Sequence, residues 1–145
     1  MAASPLKLLV VDGDPGTIAA LRSALHDALP EAILLTAAND AEARLLMMVE
    51  DPDMIVLALR EEGIVLCRSL KADARLQHIP VVFLTSPQDD RESRWEALAA
   101  GAAGFLARPL DAAELIAQTR AMAEVKAVSR RAGQGQPLPL SEERR

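Results

Sequence analysis

Residues 6–15, LKLLVVDGDP, decide the fold. The apolar run predicts a short buried strand that ends at Val11, and the turn after it carries two carboxylates, Asp12 and Asp14, on either side of Gly13. The aspartate–proline pair that closes the stretch favours a helix start, because aspartate is a good N-cap and proline suits the first helical position. The stretch therefore predicts a strand, an acidic turn and a helix.

The rest of the chain repeats this strand–helix alternation four more times. Strands are predicted over 6–11, 32–37, 53–59, 80–85 and 103–107, and helices over 15–29, from Asn39, over 63–75, from Ser86 and over 111–128. The strands are continuously apolar, which indicates a parallel sheet covered on both faces and joined by right-handed helical crossovers. The prediction is a doubly wound, five-stranded parallel α/β sandwich, in which ligands bind at the carboxyl ends of the strands.

Length and composition favour one folded domain of residues 1–128. The segment 129–145 mixes Gly, Gln, Pro and charge without a helical period, and is predicted to be a flexible linker or disordered tail. The single cysteine, Cys67, excludes an intramolecular disulfide, lies in an apolar helical pattern and is expected in the core. A cytoplasmic location fits this cysteine usage.

The overall charge argues against direct nucleic-acid binding. The formal net charge is −5, and the chain has one Trp, two Phe and no Tyr, so both a basic face and stacking platforms are missing. No apolar run approaches the ~20 residues of a membrane span, and the N-terminus does not resemble a signal peptide. We expect neither nucleic acid nor a membrane as a direct partner.

Polar or special residues follow four of the five predicted strands. They are Asp12, Gly13 and Asp14 after strand one, Ala58 at the end of strand three, Thr85 and Ser86 after strand four, and Arg108 and Pro109 after strand five. Because the carboxyl ends of parallel strands meet at one edge of the sheet, these residues define a candidate site.

At these strand ends the chain resembles the receiver domain of bacterial two-component response regulators. The likeness covers residues 6 to about 126, and it rests on the stretches LLVVDGDP (8–15), PDMIVLA (52–58), IPVVFLTS (79–86) and AGAAGFLARPL (100–110). The resemblance implies the (βα)5 flavodoxin-like fold. It also implies a phospho-accepting aspartate on strand three, acidic residues after strand one that hold Mg²⁺, and a threonine and a lysine that bind the phosphoryl oxygens.

Three positions depart from the family pattern. Ala58 stands at the phosphoacceptor position and has no nucleophile, Gly13 replaces a metal-binding carboxylate, and Arg108 replaces the lysine. The segment 58–63, ALREEG, is also shorter than the usual family loop. The resemblance therefore predicts a degenerate pseudo-receiver that is not an enzyme, has no cofactor and has lost Mg²⁺ binding. It further implies a cis peptide bond before Pro109.

The other site residues have both a functional and a structural interpretation. Asp14 is equally well explained as an N-cap or as a site residue. Asp12 ends a buried strand and needs a partner, for which Arg108 is the natural candidate, reaching across the space left by Ala58. Thr85 has a switch role in the family, although satisfying backbone groups at the strand end is the simpler explanation.

The predicted function is a phosphorylation-independent signalling module that acts through protein–protein contact. The resemblance implies an interaction face formed by helix four, strand five and helix five, where Trp95, Leu98 and Phe105 lie. A histidine kinase, an output domain or a second copy of the chain would bind there. Packing of Trp95 on its own domain, and of Phe105 in the core, remain open. The alternative is a working phosphoreceiver that uses a non-standard carboxylate, Asp14 or Glu61.

Overall fold

The computed structural model describes residues 5–12 and 14–133, which form one five-stranded parallel sheet in the order β2-β1-β3-β4-β5. In chain order the elements are β1 Lys7–Val11, α1 Pro15–Ala28, β2 Ile33–Ala37, α2 Asp40–Glu50, β3 Met54–Ala58, α3 Glu61–Lys71, β4 Val81–Thr85, α4 Arg91–Ala100, β5 Gly104–Ala107 and α5 Ala112–Gly133. The predicted fold is confirmed, and each strand lies within one residue of its predicted bounds at both ends.

Two apolar layers hold the helices against the two faces of the sheet. One layer joins the sheet to α2, α3 and α4, and Phe83 on β4 and Cys67 on α3 are fully buried in it. The other joins it to α1 and α5 through residues such as Leu21 and Leu115. No helix in the described part of the chain combines the length and apolar character that a membrane crossing requires.

Helix starts follow the predicted capping residues at α1 and α2. The Asp14 side chain accepts a hydrogen bond from the Gly16 N–H at 3.3 Å and caps α1. At α2 the Asn39 side chain accepts from the Glu42 N–H at 2.9 Å, and the Glu42 carboxylate accepts from the Ala38 N–H at 2.8 Å. These two bonds satisfy one free backbone donor of the first helical turn and one just before the N-cap.

Three helices differ from their predicted bounds by more than one residue. Helix α3 begins at Glu61 instead of 63, since two glutamates suit the positive N-terminal end of a helix, and it ends at Lys71 instead of 75. Helix α4 begins only at Arg91, because Ser86 and Asp89 close a hydrogen-bonded turn before it. Helix α5 continues to Gly133, five residues into the predicted tail, and the remainder of that tail, 134–145, lies outside the described residues.

Charged side chains fix the end of α5 at the amino-terminal edge of the sheet. The buried Lys126 ammonium donates to the Asp51 backbone oxygen at 2.6 Å and lies 3.3 Å from the Asp51 carboxylate. Arg130, one turn further on, pairs with the same carboxylate, and the His78 Nε2 atom lies 2.8 Å from it. The last turns of α5 are thus tied to the connection between α2 and β3, which explains why the helix extends beyond its predicted end.

His78 should make the stability of the domain depend on pH. Burial, with the nearby Lys126 and Lys71 cations, lowers the pKa of His78 below its ordinary value of 6.5. Lys126 and Arg130 also pair with the Asp51 carboxylate that His78 contacts. The unfolded chain therefore takes up a proton first, so stability is complete above pH 6.5 and falls as the pH drops below it.

Urea denaturation of wild type and His78→Gln at several pH values measures this effect. We expect the wild type to lose stability relative to His78→Gln between pH 7.5 and 5.5. The readout is the difference in the free energy of unfolding between wild type and His78→Gln, measured in the same buffers at each pH. Parallel pH profiles for wild type and His78→Gln would contradict the prediction.

Candidate functional site

The ends of β1, β3, β4 and β5 surround a cavity of about 360 Å³ at the carboxyl edge of the sheet. The residues that line it are Asp12, Asp14, Ala58, Leu59, Arg60, Leu84, Ser86, Asp89 and Arg108. Five of these were singled out from the sequence, namely Asp12, Asp14, Ala58, Ser86 and Arg108. Gly13 lies outside the described residues.

Asp12 is deeply buried and pairs with a residue that the sequence analysis did not single out. Its side chain is 3% exposed, and its Oδ1 atom accepts the Asp14 N–H at 2.9 Å. The Arg60 guanidinium reaches the same oxygen at 3.5 Å from the connection between β3 and α3. The expected Arg108–Asp12 pair is wrong, because Arg60 lies only two residues beyond the end of β3, the strand next to β1.

Arg108 instead binds the first turn of α1. Its Nη1 atom donates to the Thr17 hydroxyl at 2.9 Å, and that hydroxyl donates to the Asp14 carboxylate, also at 2.9 Å. Arg108 therefore acts on Asp14 through Thr17 and connects the end of β5 to α1. Thr17 is a buried polar residue three positions after an aspartate cap, and this spacing is the sequence feature that would have indicated it.

Asp14 has its carboxylate oxygens engaged by its own helix. Hydrogen bonds from the Thr17 hydroxyl and the Gly16 N–H, with a smaller contribution from the charge of Arg108, hold the pKa of Asp14 below its ordinary value. The group is thus a stable carboxylate that caps α1. This geometry supports the N-cap interpretation, although it also leaves a negative charge at the rim of the cavity.

The connection between β3 and α3 is reduced to Leu59 and Arg60. The Arg60 N–H donates to the Ala58 oxygen at 2.9 Å, and α3 begins at the next residue, Glu61. The third residue of α3 must be glycine, since a Cβ on Gly63 would lie 2.5 Å from the Ala58 backbone oxygen. This tight connection presents the Arg60 side chain to the cavity and holds the Ala58 methyl group at its wall.

The remaining strand-end residues have local structural partners. The buried Thr85 hydroxyl donates to the Leu106 oxygen at 3.4 Å, which matches its simpler predicted role at the strand end. The Ser86 N–H donates to the Asp89 carboxylate at 2.6 Å, so Asp89, which was also not singled out, closes the turn before α4. The Arg108–Pro109 peptide bond is cis, as the resemblance implied.

The predicted interaction face contains two exposed apolar side chains and one that is packed inward. Trp95 is 63% and Leu98 49% exposed on α4. Phe105 on β5 is half-buried and packs against the core, with its ring centroid 6.4 Å from that of Phe83. Packing of Trp95 on its own domain is therefore wrong, and Phe105 serves the core more than the surface.

The donor set at this edge suits a divalent metal poorly. Asp12 Oδ1 faces Arg60 and the Asp14 N–H, which leaves only the buried Oδ2 without a partner among the described residues. The oxygens of Asp14 cap α1, and Ala58 offers only its backbone. Mg²⁺ favours several negatively charged oxygen ligands, whereas two guanidinium groups, Arg60 and Arg108, line this cavity. Within residues 5–12 and 14–133, no group of three or more His, Cys, Asp or Glu side chains is arranged to hold a metal ion.

Comparison with known proteins agrees with this architecture. Residues 8–120 match the family model described as the response regulator receiver domain. The chain is 34% identical over 126 residues to the response regulator PleD of Caulobacter vibrioides and 32% identical over 121 residues to the response regulator Rre1 of a Synechocystis strain. These alignments cover 84% and 81% of this chain, but the chain spans only 27% of PleD and 52% of Rre1.

A solved structure gives the same result. The signal receiver domain of a signal transduction histidine kinase from Syntrophus aciditrophicus is 26% identical, with a TM-score of 0.69, over 81% of this chain and 89% of that one. The parallel sheet order and the matched span agree with this family, although Gly13, Ala58 and Arg108 depart from its pattern at the carboxyl edge. The chain therefore belongs to the response regulator receiver domain family.

Proposed function

We propose that this receiver domain is a phosphorylation-independent regulatory module that acts through protein–protein contact. The observation that carries the proposal is the state of the carboxylates at the strand ends. The phosphoacceptor position is Ala58, Asp12 is buried against Arg60, and Asp14 is engaged by Gly16 and Thr17. A phosphoryl group needs an accessible nucleophile, and each of these carboxylates has another role.

Loss of Mg²⁺ binding is part of the same proposal. In receivers that transfer phosphate, the metal neutralises charge on the transferring oxygens. Here Gly13 supplies no carboxylate, and the guanidinium of Arg60 already supplies positive charge beside Asp12. We infer that the pair replaces the ion and keeps the edge of the sheet in one electrostatic state.

Receiver domains in two-component systems interact with histidine kinases and output domains. We place the contact surface of this chain on α4, β5 and α5, where Trp95 and Leu98 expose large apolar side chains. Exposed tryptophan is typical of binding hot spots. A histidine kinase, an output domain or a second copy of the chain would bind through this face.

Incubation with Mg²⁺ and a small phosphodonor such as acetyl phosphate, followed by intact-mass measurement, tests the proposal. We expect no added phosphoryl group and no saturable Mg²⁺ binding at the sheet edge by calorimetry. The alternative of a working phosphoreceiver requires a phosphoryl adduct that maps to Asp14 or to Glu61, which lies in the first turn of α3. Such an adduct, lost in Asp14→Asn or Glu61→Gln, would overturn the proposal.

A further inference from the structure

A second, larger cavity lies on the other side of Arg60. It measures about 630 Å³, within the size range of small-molecule sites, and opens where α2 and α3 begin. Asp12, Ala58 and Arg60 line both this cavity and the smaller one described above. The side chain of Arg60 therefore stands at the boundary between the two.

Asp12 brings an unsatisfied charge to this boundary. Its Oδ2 atom has no hydrogen-bond partner in the described part of the chain, although the side chain is 97% removed from solvent. A buried carboxylate oxygen without a donor is costly, and native structures usually provide one. The Asp12 carboxylate therefore retains the capacity to accept a further hydrogen bond.

The walls of the larger cavity define what a bound molecule would carry. Carboxylates of Asp40 and Glu62 join Asp12, whereas Arg60 is the one cation that lines this cavity among the described residues. The remaining wall consists of Asn39, Gly63 and six apolar residues, which are Val11, Ala38, Ala41, Leu57, Ala58 and Leu66. A cavity whose lining combines apolar side chains with three carboxylates fits an alkyl chain that ends in a cationic group.

Arg60 is held weakly enough to be displaced. Its side chain is 64% exposed, and its contact with Asp12 is 3.5 Å long, beyond the usual distance of a charge-assisted hydrogen bond. Solvent around the guanidinium screens this contact, so the pair is weaker than one in which both groups are buried. A ligand that brings a better-placed donor to Asp12 can therefore take the position of the guanidinium.

We propose that the cavity between α2 and α3 binds an alkyl guanidinium or alkyl ammonium group, with Asp12 as its counter-ion and Arg60 as the internal group that it displaces. The group belongs either to a small organic cation or to an arginine or lysine side chain of a protein partner. This proposal rests on the proposed function in one respect, namely that no metal ion binds Asp12.

Titration with n-butylguanidinium, followed by backbone amide NMR, tests the site on the full chain. We expect saturable shifts confined to the starts of α2 and α3 and to the end of β3, and no shifts from the neutral isostere n-butylurea. Asp12→Asn should weaken binding about tenfold or more, because a charge-assisted hydrogen bond is lost. Arg60→Ala should tighten it by about two- to fivefold, since an internal competitor is removed.

Controls separate this proposal from its alternatives. Asp89→Asn changes a carboxylate that lines only the smaller cavity and should leave butylguanidinium affinity unchanged. A peptide with one arginine, compared with its citrulline counterpart, distinguishes a partner's side chain from a free cation. Equal shifts with butylurea, or weaker binding by Arg60→Ala, would overturn the proposal. Mg²⁺ is titrated in a separate experiment. Mg²⁺ binding without butylguanidinium binding would contradict both the proposed function and the proposed cation site. If neither ligand binds, only the proposed cation site is contradicted.

Discussion

Gly63→Ala is expected to lower the free energy of unfolding by about 2 kcal/mol, the typical cost of overpacking a filled site. Helix propensity alone predicts the opposite sign, because alanine is favoured over glycine in a helix by up to ~1 kcal/mol. The new methyl group would meet the Ala58 backbone oxygen at 2.5 Å and the Phe83 ring at 3.3 Å. Since the connection between β3 and α3 has two residues, α3 has little room to move away. Chemical denaturation monitored by circular dichroism measures the change.

Gly16→Ala provides the matched control for this substitution. Gly16 also lies in the first turn of a helix, but a Cβ there would meet only the Asp14 carboxylate oxygens, at 3.6 and 3.7 Å. We expect Gly16→Ala to be neutral or stabilising by up to ~1 kcal/mol. Equal effects of the two substitutions would show that the close approach of Gly63 to Ala58 is not what makes glycine necessary.

Restoring phosphotransfer should require more than restoring the aspartate. Ala58→Asp alone is expected to give no acyl phosphate with acetyl phosphate and Mg²⁺. Gly13 still lacks a carboxylate, and Arg60 remains available to pair with the new side chain. Gly13→Asp, Ala58→Asp, Arg60→Ala and Arg108→Lys together recreate an open acidic site with a lysine, and this variant should change from no adduct to a measurable phosphorylated fraction. Intact-mass measurement, with loss of the adduct on hydroxylamine treatment, detects an acyl phosphate.

The informative control keeps Arg60 and carries only Gly13→Asp, Ala58→Asp and Arg108→Lys. If Arg60 neutralises Asp12 as its position indicates, this triple variant should be phosphorylated less than the variant with all four substitutions. An acyl phosphate on the Ala58→Asp single variant would show that neither the missing carboxylate nor Arg60 limits the chemistry. The proposed phosphorylation independence would then rest on the loss of the nucleophile alone.

The fold could be predicted from the sequence because its determinants are local and repeated. Each strand has four or five residues that are mostly apolar. Asp14 and Asn39 mark helix starts through their own capping bonds. The end of α5 could not be predicted, because its last turns depend on Asp51, which is 79 positions away from Arg130. Long-range ion pairs of this kind leave no periodic pattern in a sequence.

The candidate site also has features that the sequence predicts and features that it does not. Position along the strands was sufficient to bring Asp12, Ala58, Ser86 and Arg108 to one cavity. Position was not sufficient to predict which arginine pairs with Asp12. Two arginines were within reach of it, and only the geometry of the β3–α3 connection favours Arg60. The connection between β3 and α3 is short, so its side chains stay close to the end of β3. That shortness is the sequence feature that could have pointed to Arg60.

The Arg60–Asp12 pair has a consequence for how this edge of the sheet responds to its surroundings. A dissolved ion exchanges with solvent, so its occupancy follows dilution and is removed by a chelator. The Arg60 guanidinium is instead tethered two residues beyond the end of β3. Its effective concentration at Asp12 is therefore in the millimolar range or above, whatever the composition of the solution. The counter-ion of Asp12 is then covalently built into the chain and cannot be diluted away, although a competing cation can still exchange with it.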